Sequence, residues 1–360
     1  MLSKKCFSWD WINLKRKDLL VKDLGILEKS IHALALLAHL SESGLPFVLK
    51  GGISLLLHLQ QIRRLSIDVD IICGAAKPEL DSALHSICKK APFIGHIEDM
   101  RGNRRSPNRR HFKFFFNSNI EKKKELFILL DVIEEPDCHL PLTMKPVLAP
   151  FIEIDKETNV RIPTIEGLLA DKLTAFAPNT IGVPFERQIG KYQTMQVAKQ
   201  LFDIGELFGN AVNMPEVADA YLANFEKENG YRGNNHTKEV VLNDTIQVSR
   251  NFCGLMLKNF PDNEDAIKLR DGIVRLSNHL VGEIPDLNRQ MKVAAAKAAL
   301  LSLAIKTGRI DFSLTDLKYG KEKINEIRAN DLFGEFVGLT RLKNTNPEAF
   351  YYLLKAERLK

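Results

Sequence analysis

Two carboxylates, Asp68 and Asp70, are separated by a single residue in the apolar stretch LSIDVDIIC. The alternation of this stretch predicts a strand in which Ser66, Asp68 and Asp70 share one face. Two carboxylates so close repel each other, and a divalent cation that binds both relieves the repulsion. Oxygen ligands suit Mg²⁺ or Mn²⁺, so the pair is a candidate metal site. The alternative is a solvated strand end, which is the commoner reason for an isolated D-x-D.

A double glycine, Gly51 and Gly52, precedes this strand and opens the apolar run ISLLLHL, for which a helix is expected. Glycine lets a backbone approach a phosphate closely, and a helix N-terminus offers unpaired N–H groups and a positive dipole end. Ser54, in the first turn of that helix, could add a hydroxyl. A Gly-Gly turn alone is common, but its combination with the two carboxylates indicates a site for a nucleotide and its Mg²⁺.

The patterns around this motif predict an α+β fold, with a mixed sheet and helices to one side of it. Helices are expected before residue 45 and at 77–91, and strands at 45–50, 65–73, 93–100, 109–118, 124–135 and, as a short pair, 151–162. Helical patterns then continue to the end of the chain. We therefore expect two domains, a head with N-terminal helices at 1–160 and a helical domain at 161–360.

The stretch KGGISLLLHLQQIRRLSIDVDII resembles the first motif of the nucleotidyltransferase superfamily with the polymerase-β-like fold. In detail it is similar to the AbiEii/AbiGii toxin branch, whose members read K-G-G-x-[ST]-L followed by R-x-S-x-D-[IL]-D. The matching residues are Lys50, Gly51, Gly52, Ser54, Leu55, Arg64, Ser66, Asp68 and Asp70. The resemblance, which extends to about residue 210, implies a polymerase-β-like head and an NTP substrate. It assigns nucleotide binding to Lys50, Gly51, Gly52, Ser54, Arg64 and Ser66, and catalysis and the metal to Asp68 and Asp70.

A third carboxylate, Asp131, lies inside the apolar run ELFILLDVIEE. An unpaired carboxylate in such a strand would cost several kcal/mol or be forced to protonate, and a metal or a neighbouring cation would remove that cost. The superfamily usually supplies a third catalytic carboxylate from a neighbouring strand. The alternative, a strand-end cap or a pair with an arginine from RGNRRSPNRR, remains open at this point.

Two more catalytic candidates lie in the segment 161–210. Lys172 falls within the apolar stripe of TIEGLLADKLTAFA, where spacing alone favours a lysine that reaches outward to solvent. The resemblance instead makes it the catalytic lysine of the family, in the segment EGLLADKL at 166–173. Asp203 lies in KQLFDI, which is similar to R-D-[LI]-[YF]-D-[LI] except that Gln200 replaces the first aspartate. Helical periodicity predicts that Asp203 is exposed, and only the resemblance assigns it to the active site.

The loop RGNRRSPNRRHFK concentrates positive charge, and Arg104, Arg105, Arg109 and Arg110 are candidates for binding RNA phosphates. A solvated surface loop is the alternative. The formal net charge of +6 permits a polyanionic partner without requiring one. Five dispersed cysteines without a CxxC pair predict a cytoplasmic protein without structural zinc, and no apolar run is long enough to span a membrane.

The resemblance thus implies a toxin that uses Mg²⁺ (or Mn²⁺) to transfer NMP from an NTP to RNA, with the tRNA 3′ end as the expected acceptor. Such a modification would block translation, and a cognate antitoxin encoded nearby would be the natural partner. One rival is a nucleotidyltransferase that modifies a small molecule or a protein hydroxyl. The other is a catalytically silent module that binds RNA or a partner protein.

Overall fold

The computed structural model describes residues 1–100, 107–121 and 124–359 of the 360-residue chain. It divides into two compact units, Met1–Thr164 with Asn278–Glu283, and Ile165–Ser277 with Ile284–Lys360. The division lies close to the expected boundary at residue 160, but the short segment 278–283 belongs to the first unit. There, Leu65 N–H donates to the His279 carbonyl at 2.8 Å, and Val281 N–H donates to the Arg63 carbonyl at 2.9 Å.

The first unit is built on a seven-stranded mixed sheet with the strand order β3-β4-β5-β2-β1-β7-β6. Its strands are β1 (Phe47–Lys50), β2 (Val69–Cys73), β3 (Phe93–Glu98), β4 (Arg109–Asn117), β5 (Glu125–Ile133), β6 (Leu142–Pro146) and β7 (Asn159–Pro163). Its α-helices are α1 (Trp9–Leu19), α2 (Leu24–Glu42), α3 (Gly51–His58) and α4 (Lys77–Ile87). The predicted α+β class and mixed sheet are confirmed.

Alternation along β4 and β5 separates the two faces of the sheet. Phe112, Phe114 and Phe116 are buried and pack in a core that includes α2, whereas the residues between them are only partly covered. The same alternation buries Ile128, Leu130 and Val132 of β5. One face of the sheet is therefore closed by helix packing. The other face, which carries the odd-numbered residues of both strands and which we call the open face, is only partly covered.

The strand pair expected at 151–162 is wrong. Its second half is β7, but β7 pairs antiparallel with β6, and Phe151 is instead a fully buried core residue. Ile154 forms an isolated bridge to Leu2. The apolar residues of 151–154 therefore serve packing at the N-terminus and not the sheet.

The second unit is mainly helical. Its elements are α5 (Ile165–Ala175), β8 (Glu186–Gln188), β9 (Lys191–Tyr192), α6 (Thr194–Phe208), α7 (Met214–Gly230), α8 (Lys238–Gly254), α9 (Glu264–Leu276), α10 (Leu287–Thr307), α11 (Ile324–Ala329), α12 (Leu342–Thr345) and α13 (Pro347–Glu357). Side-chain caps fix several helix starts, among them Asn213, which accepts from Glu216 N–H, and Asn263, which accepts from Ala266 N–H. Among the described residues, none of the helices combines the length and apolarity needed to span a bilayer.

Candidate active site

Four polar side chains form one row across the open face of the sheet in the first unit. Strand pairing sets Lys50 of β1 opposite Asp70 of β2, Asp70 beside Asp131 of β5, and Asp131 opposite His111 of β4. Residues that pair directly project to the same face, and neighbouring strands lie only about 4.8 Å apart. We call these four residues the polar row. The sheet thus brings two carboxylates together between a lysine and a histidine.

Asp131 is held by the histidine of this row. His111 Nδ1 lies 2.6 Å from Asp131 Oδ1, and because an ionised carboxylate only accepts, the imidazole N–H donates. The Asp131 side chain is 37% exposed, so its strand is apolar on the core face only. The sequence left open a metal, a cap or an arginine as the partner of Asp131. Histidine was missed because it lies on another strand, and only the β4–β5 register shows the pairing.

The double glycine is required because polar side chains lie against both residues. Gly51 has φ +71°, and a Cβ there would overlap the Asp70 carboxylate. At Gly52 a Cβ would lie 2.6 Å from Ser66 Oγ and 2.9 Å from the Arg64 guanidinium. Asp70, Ser66 and Arg64 therefore surround the start of α3. Arg64 is buried, with Nη1 donating to the Leu65 carbonyl at 3.2 Å.

Two other motif residues differ from the sequence expectation. The strand begins at Val69, so Asp68 precedes it and is half-buried at its start. Ser54 is fully buried, and its hydroxyl donates to the Gly51 carbonyl at 2.8 Å. The Ser54 hydroxyl therefore donates within α3 in this structure, and its contact with a phosphate stays a prediction.

The carboxylates suit a divalent cation that arrives with a nucleotide better than a preformed metal cage. Within the described ranges, no group of three or more His, Cys, Asp or Glu side chains is arranged to hold a metal. Mg²⁺ is commonly bound by one or two carboxylates together with substrate phosphates and water. Asp68 and Asp70 supply two such oxygen donors at the start of β2, and the Asp70 carboxylate lies against Gly51.

Lys172 and Asp203 come together inside the second unit. Lys172 on α5 is 5% exposed and Asp203 on α6 is 0% exposed, and Lys172 Nζ lies 4.0 Å from Asp203 Oδ2. A second carboxylate, Asp171 Oδ2, lies 3.6 Å from the same ammonium. Spacing alone predicted an outward lysine and an exposed aspartate, and both expectations are wrong.

The basic loop divides into three parts. Arg104 and Arg105 lie outside the described residues. Arg109, at the start of β4, is exposed. Arg110 is buried, and its guanidinium donates to Glu98 and Asp81 at 2.7–2.8 Å. The hydrogen bonds that Arg110 donates to Glu98 and Asp81 raise the pKa of Arg110 further above its usual range. Arg110 is thus engaged with two carboxylates in this structure, and its role in binding an RNA phosphate stays a prediction.

Solved structures with a similar course of the chain include nucleotidyltransferases. MenT4, a nucleotidyltransferase toxin from Mycobacterium tuberculosis H37Rv, is 14% identical with a TM-score of 0.48, covering 95% of this chain and 98% of that one. JHP933 from Helicobacter pylori is 15% identical with a TM-score of 0.39, covering 91% of this chain and 100% of that one. A putative nucleotidyltransferase from H. pylori is 16% identical with a TM-score of 0.39, covering 81% and 96%. At these values none of them bears on function.

A comparison with curated proteins gave no match. The family described as "Nucleotidyl transferase AbiEii toxin, Type IV TA system" matches residues 35–299, which is more than half of the chain and includes both glycines, the polar row, Lys172 and Asp203. The catalytic class and the toxin–antitoxin context follow from this match: the chain belongs to the AbiEii family of nucleotidyltransferase toxins.

Proposed function

We propose that the protein transfers NMP from an NTP to RNA, with the 3′ end of tRNA as the acceptor, and that it depends on Mg²⁺ (or Mn²⁺). Family membership supports nucleotide transfer and a toxin with a cognate antitoxin. The observation that carries the proposal is the polar row, in which Asp70 and Asp131 lie side by side next to the Gly-Gly turn.

The nucleotide phosphates are assigned to the start of α3. The helix N-terminus, the glycine backbone without side chains and the buried guanidinium of Arg64 all lie at Gly52. A buried arginine beside the positive end of a helix favours a bound anion, because both groups attract negative charge. Lys50 and Ser66 lie beside the same glycines and are assigned to the nucleotide with Arg64.

The carboxylates are assigned to metal binding and to proton transfer. Asp68 and Asp70 would hold the metal ion, which supplies positive charge at the reacting phosphate and orients the attacking hydroxyl. Asp131 is positioned by His111 through one oxygen, and its other oxygen can take the proton of the acceptor hydroxyl. His111 is therefore a positioning residue, because it acts through Asp131.

Lys172 is assigned to the triphosphate. Its ammonium would stabilise negative charge on the transferred group and on the pyrophosphate that leaves. Asp203, 4.0 Å from that ammonium, would hold its position within the second unit. RNA binding is assigned to the exposed Arg109, together with Arg104 and Arg105 of the same loop.

The test is incubation of the purified protein with each α-³²P-labelled NTP, total tRNA and Mg²⁺, with EDTA and Asp70→Asn as negative controls. Asp137→Asn, which changes an exposed aspartate of the same unit, is the matched control variant. We expect labelled tRNA from the parent and from Asp137→Asn only. Label on protein or on a small molecule would overturn the RNA acceptor, and no label with any NTP would overturn the reaction. Label formed equally in EDTA would overturn the metal.

A further inference from the structure

The open face of the sheet continues beyond the polar row into an aromatic patch, Phe115 of β4 and Phe127 of β5. The two residues pair directly in the β4–β5 register, and their rings lie 6.2 Å apart at 71°. Phe127 is 36% exposed and Phe115 is half-buried. The core face of β4 is already filled by other phenylalanines, so this pair lies on the open face, which is only partly covered.

Positive charge surrounds the aromatic patch. Lys113 Nζ and Lys29 Nζ lie 5.2 Å and 5.7 Å from the centre of the Phe127 ring. Lys113 also pairs with Asp99 at 2.9 Å, so it is not a bare cation. On the far side of the polar row, the exposed Arg109 belongs to the same face of β4. Along the open face of β4, the side chains are therefore, in order, the cation Arg109, His111 of the polar row, the cation Lys113 and the ring of Phe115.

The spacing relates this patch to the proposed site of reaction. Phe127 and Asp131 are four residues apart on one strand, which places the patch about 14 Å from the polar row at roughly 3.4 Å per residue. A stacked nucleic-acid strand advances about 3.4 Å per nucleotide, so about four stacked nucleotides span that distance.

We propose that the aromatic patch is a stacking platform for unpaired bases of the RNA acceptor, a few nucleotides from its reacting 3′ end. This inference rests on the proposed function for the reaction at the polar row. Exposed aromatic rings next to lysines are the combination that binds single-stranded nucleic acid, because every base has a face that can stack and every phosphate is negative. A single-stranded RNA end fits better than a protein partner because the patch is continuous with the polar row and flanked by cations on both sides.

The experiment measures binding of a synthetic RNA hairpin with a single-stranded 3′ overhang, with 2-aminopurine in the overhang to report stacking. The variants are Phe127→Leu and Phe115→Leu, which keep an apolar side chain but remove the ring. Phe333→Leu, at a 69% exposed phenylalanine of the second unit, is the matched control. Thermal melting checks that each variant folds, and binding is measured without NTP.

We expect Phe127→Leu to weaken binding of a four-nucleotide overhang by roughly 5- to 100-fold. A one-nucleotide overhang, which does not reach the patch, should bind equally well to parent and variant. The salt dependence of binding should not change in Phe127→Leu, because no phosphate contact is lost. Lys29→Gln should instead lower the salt slope by about 0.7.

Two results would overturn the proposal that the aromatic patch is a stacking platform. One is an unchanged affinity of both phenylalanine variants at every overhang length, which would leave the open face to a protein partner such as the antitoxin. The other is an equal loss for all lengths, which would show that the ring supports the fold and not a base. Failure of the proposed function is separate, since it would appear as absent label transfer by the parent protein.

Discussion

Replacing Lys172 by methionine should destabilise the second unit as well as stop transfer. Methionine keeps the length of the side chain but removes the ammonium that lies 4.0 Å from the fully buried Asp203. Two unit charges at that distance attract by about 4 kcal/mol at an effective dielectric constant near 20. Breaking a buried pair by removing one partner typically costs about 3–5 kcal/mol. The ammonium also lies 3.6 Å from Asp171, which is partly exposed and can be solvated when the ammonium is lost, so we expect the free energy of unfolding to fall by about 3 kcal/mol, the low end of that range.

A double-mutant cycle with Asp203→Asn isolates the pair. Asparagine has nearly the same shape without the charge, so it should restore part of the stability that Lys172→Met loses. We expect a coupling energy of about 2 kcal/mol, measured by urea unfolding of the parent, the two single variants and the double variant. The control is the same cycle on Lys343 and Asp331, whose charged atoms lie only 2.7 Å apart but whose aspartate is 63% exposed. Solvent should hold that coupling below about 1 kcal/mol despite the shorter distance.

The comparison of the two coupling energies tests whether burial strengthens the pair of Lys172 and Asp203. A coupling at Lys172 and Asp203 no larger than the surface control would show that burial does not strengthen this pair. The position of the ammonium would then need another explanation.

Three further outcomes are expected. Asp70→Asn should abolish transfer in the labelling assay while leaving the melting temperature unchanged or higher, because it relieves repulsion from Asp131. Gly51→Ala should cost about 1–2 kcal/mol in urea unfolding, because its φ is +71° and a Cβ would displace the Asp70 carboxylate; an unchanged stability would contradict this. Burial lowers the pKa of His32 from 6.5 to about 4. The stability contributed by neutral His32 is therefore fully present above pH 6.5. As the pH falls toward 4 this contribution is lost, and the free energy of unfolding decreases by about 3 kcal/mol in total. Urea unfolding at several pH values should show a flatter dependence in His32→Gln.

The local part of the fold could be predicted from sequence. The order of strand, Gly-Gly turn, helix and strand between Leu45 and Cys73 is confirmed as β1, α3 and β2. These elements are set by neighbouring residues, namely apolar alternation and glycine at a positive φ. The partner of β7 could not be predicted in the same way. Its neighbour β6 lies between prolines and is partly exposed, so nothing in its own sequence distinguishes it from a loop.

The buried lysine and aspartate show a different limit. A helical wheel assigns the side opposite the apolar stripe to solvent, which is correct for a helix packed on one side only. Helix α6 packs against α5, α9 and α10, so its polar side is also covered. Asp203 is buried there close to Lys172. The periodicity of α6 alone could not predict this, because it does not show which other helices pack against α6.

The polar row explains why a strand that is buried on one face carries carboxylates on the other. Asp70 and Asp131 lie side by side in parallel register, which is unfavourable for two negative charges. A fold selected for stability alone would place neutral residues at one of these positions. The row instead sets a lysine and a histidine at its two ends, so that each carboxylate has a donor as its outer neighbour. This arrangement offsets part of the repulsion and still leaves the space between the carboxylates negative, which is the electrostatic condition for attracting a divalent cation with its nucleotide.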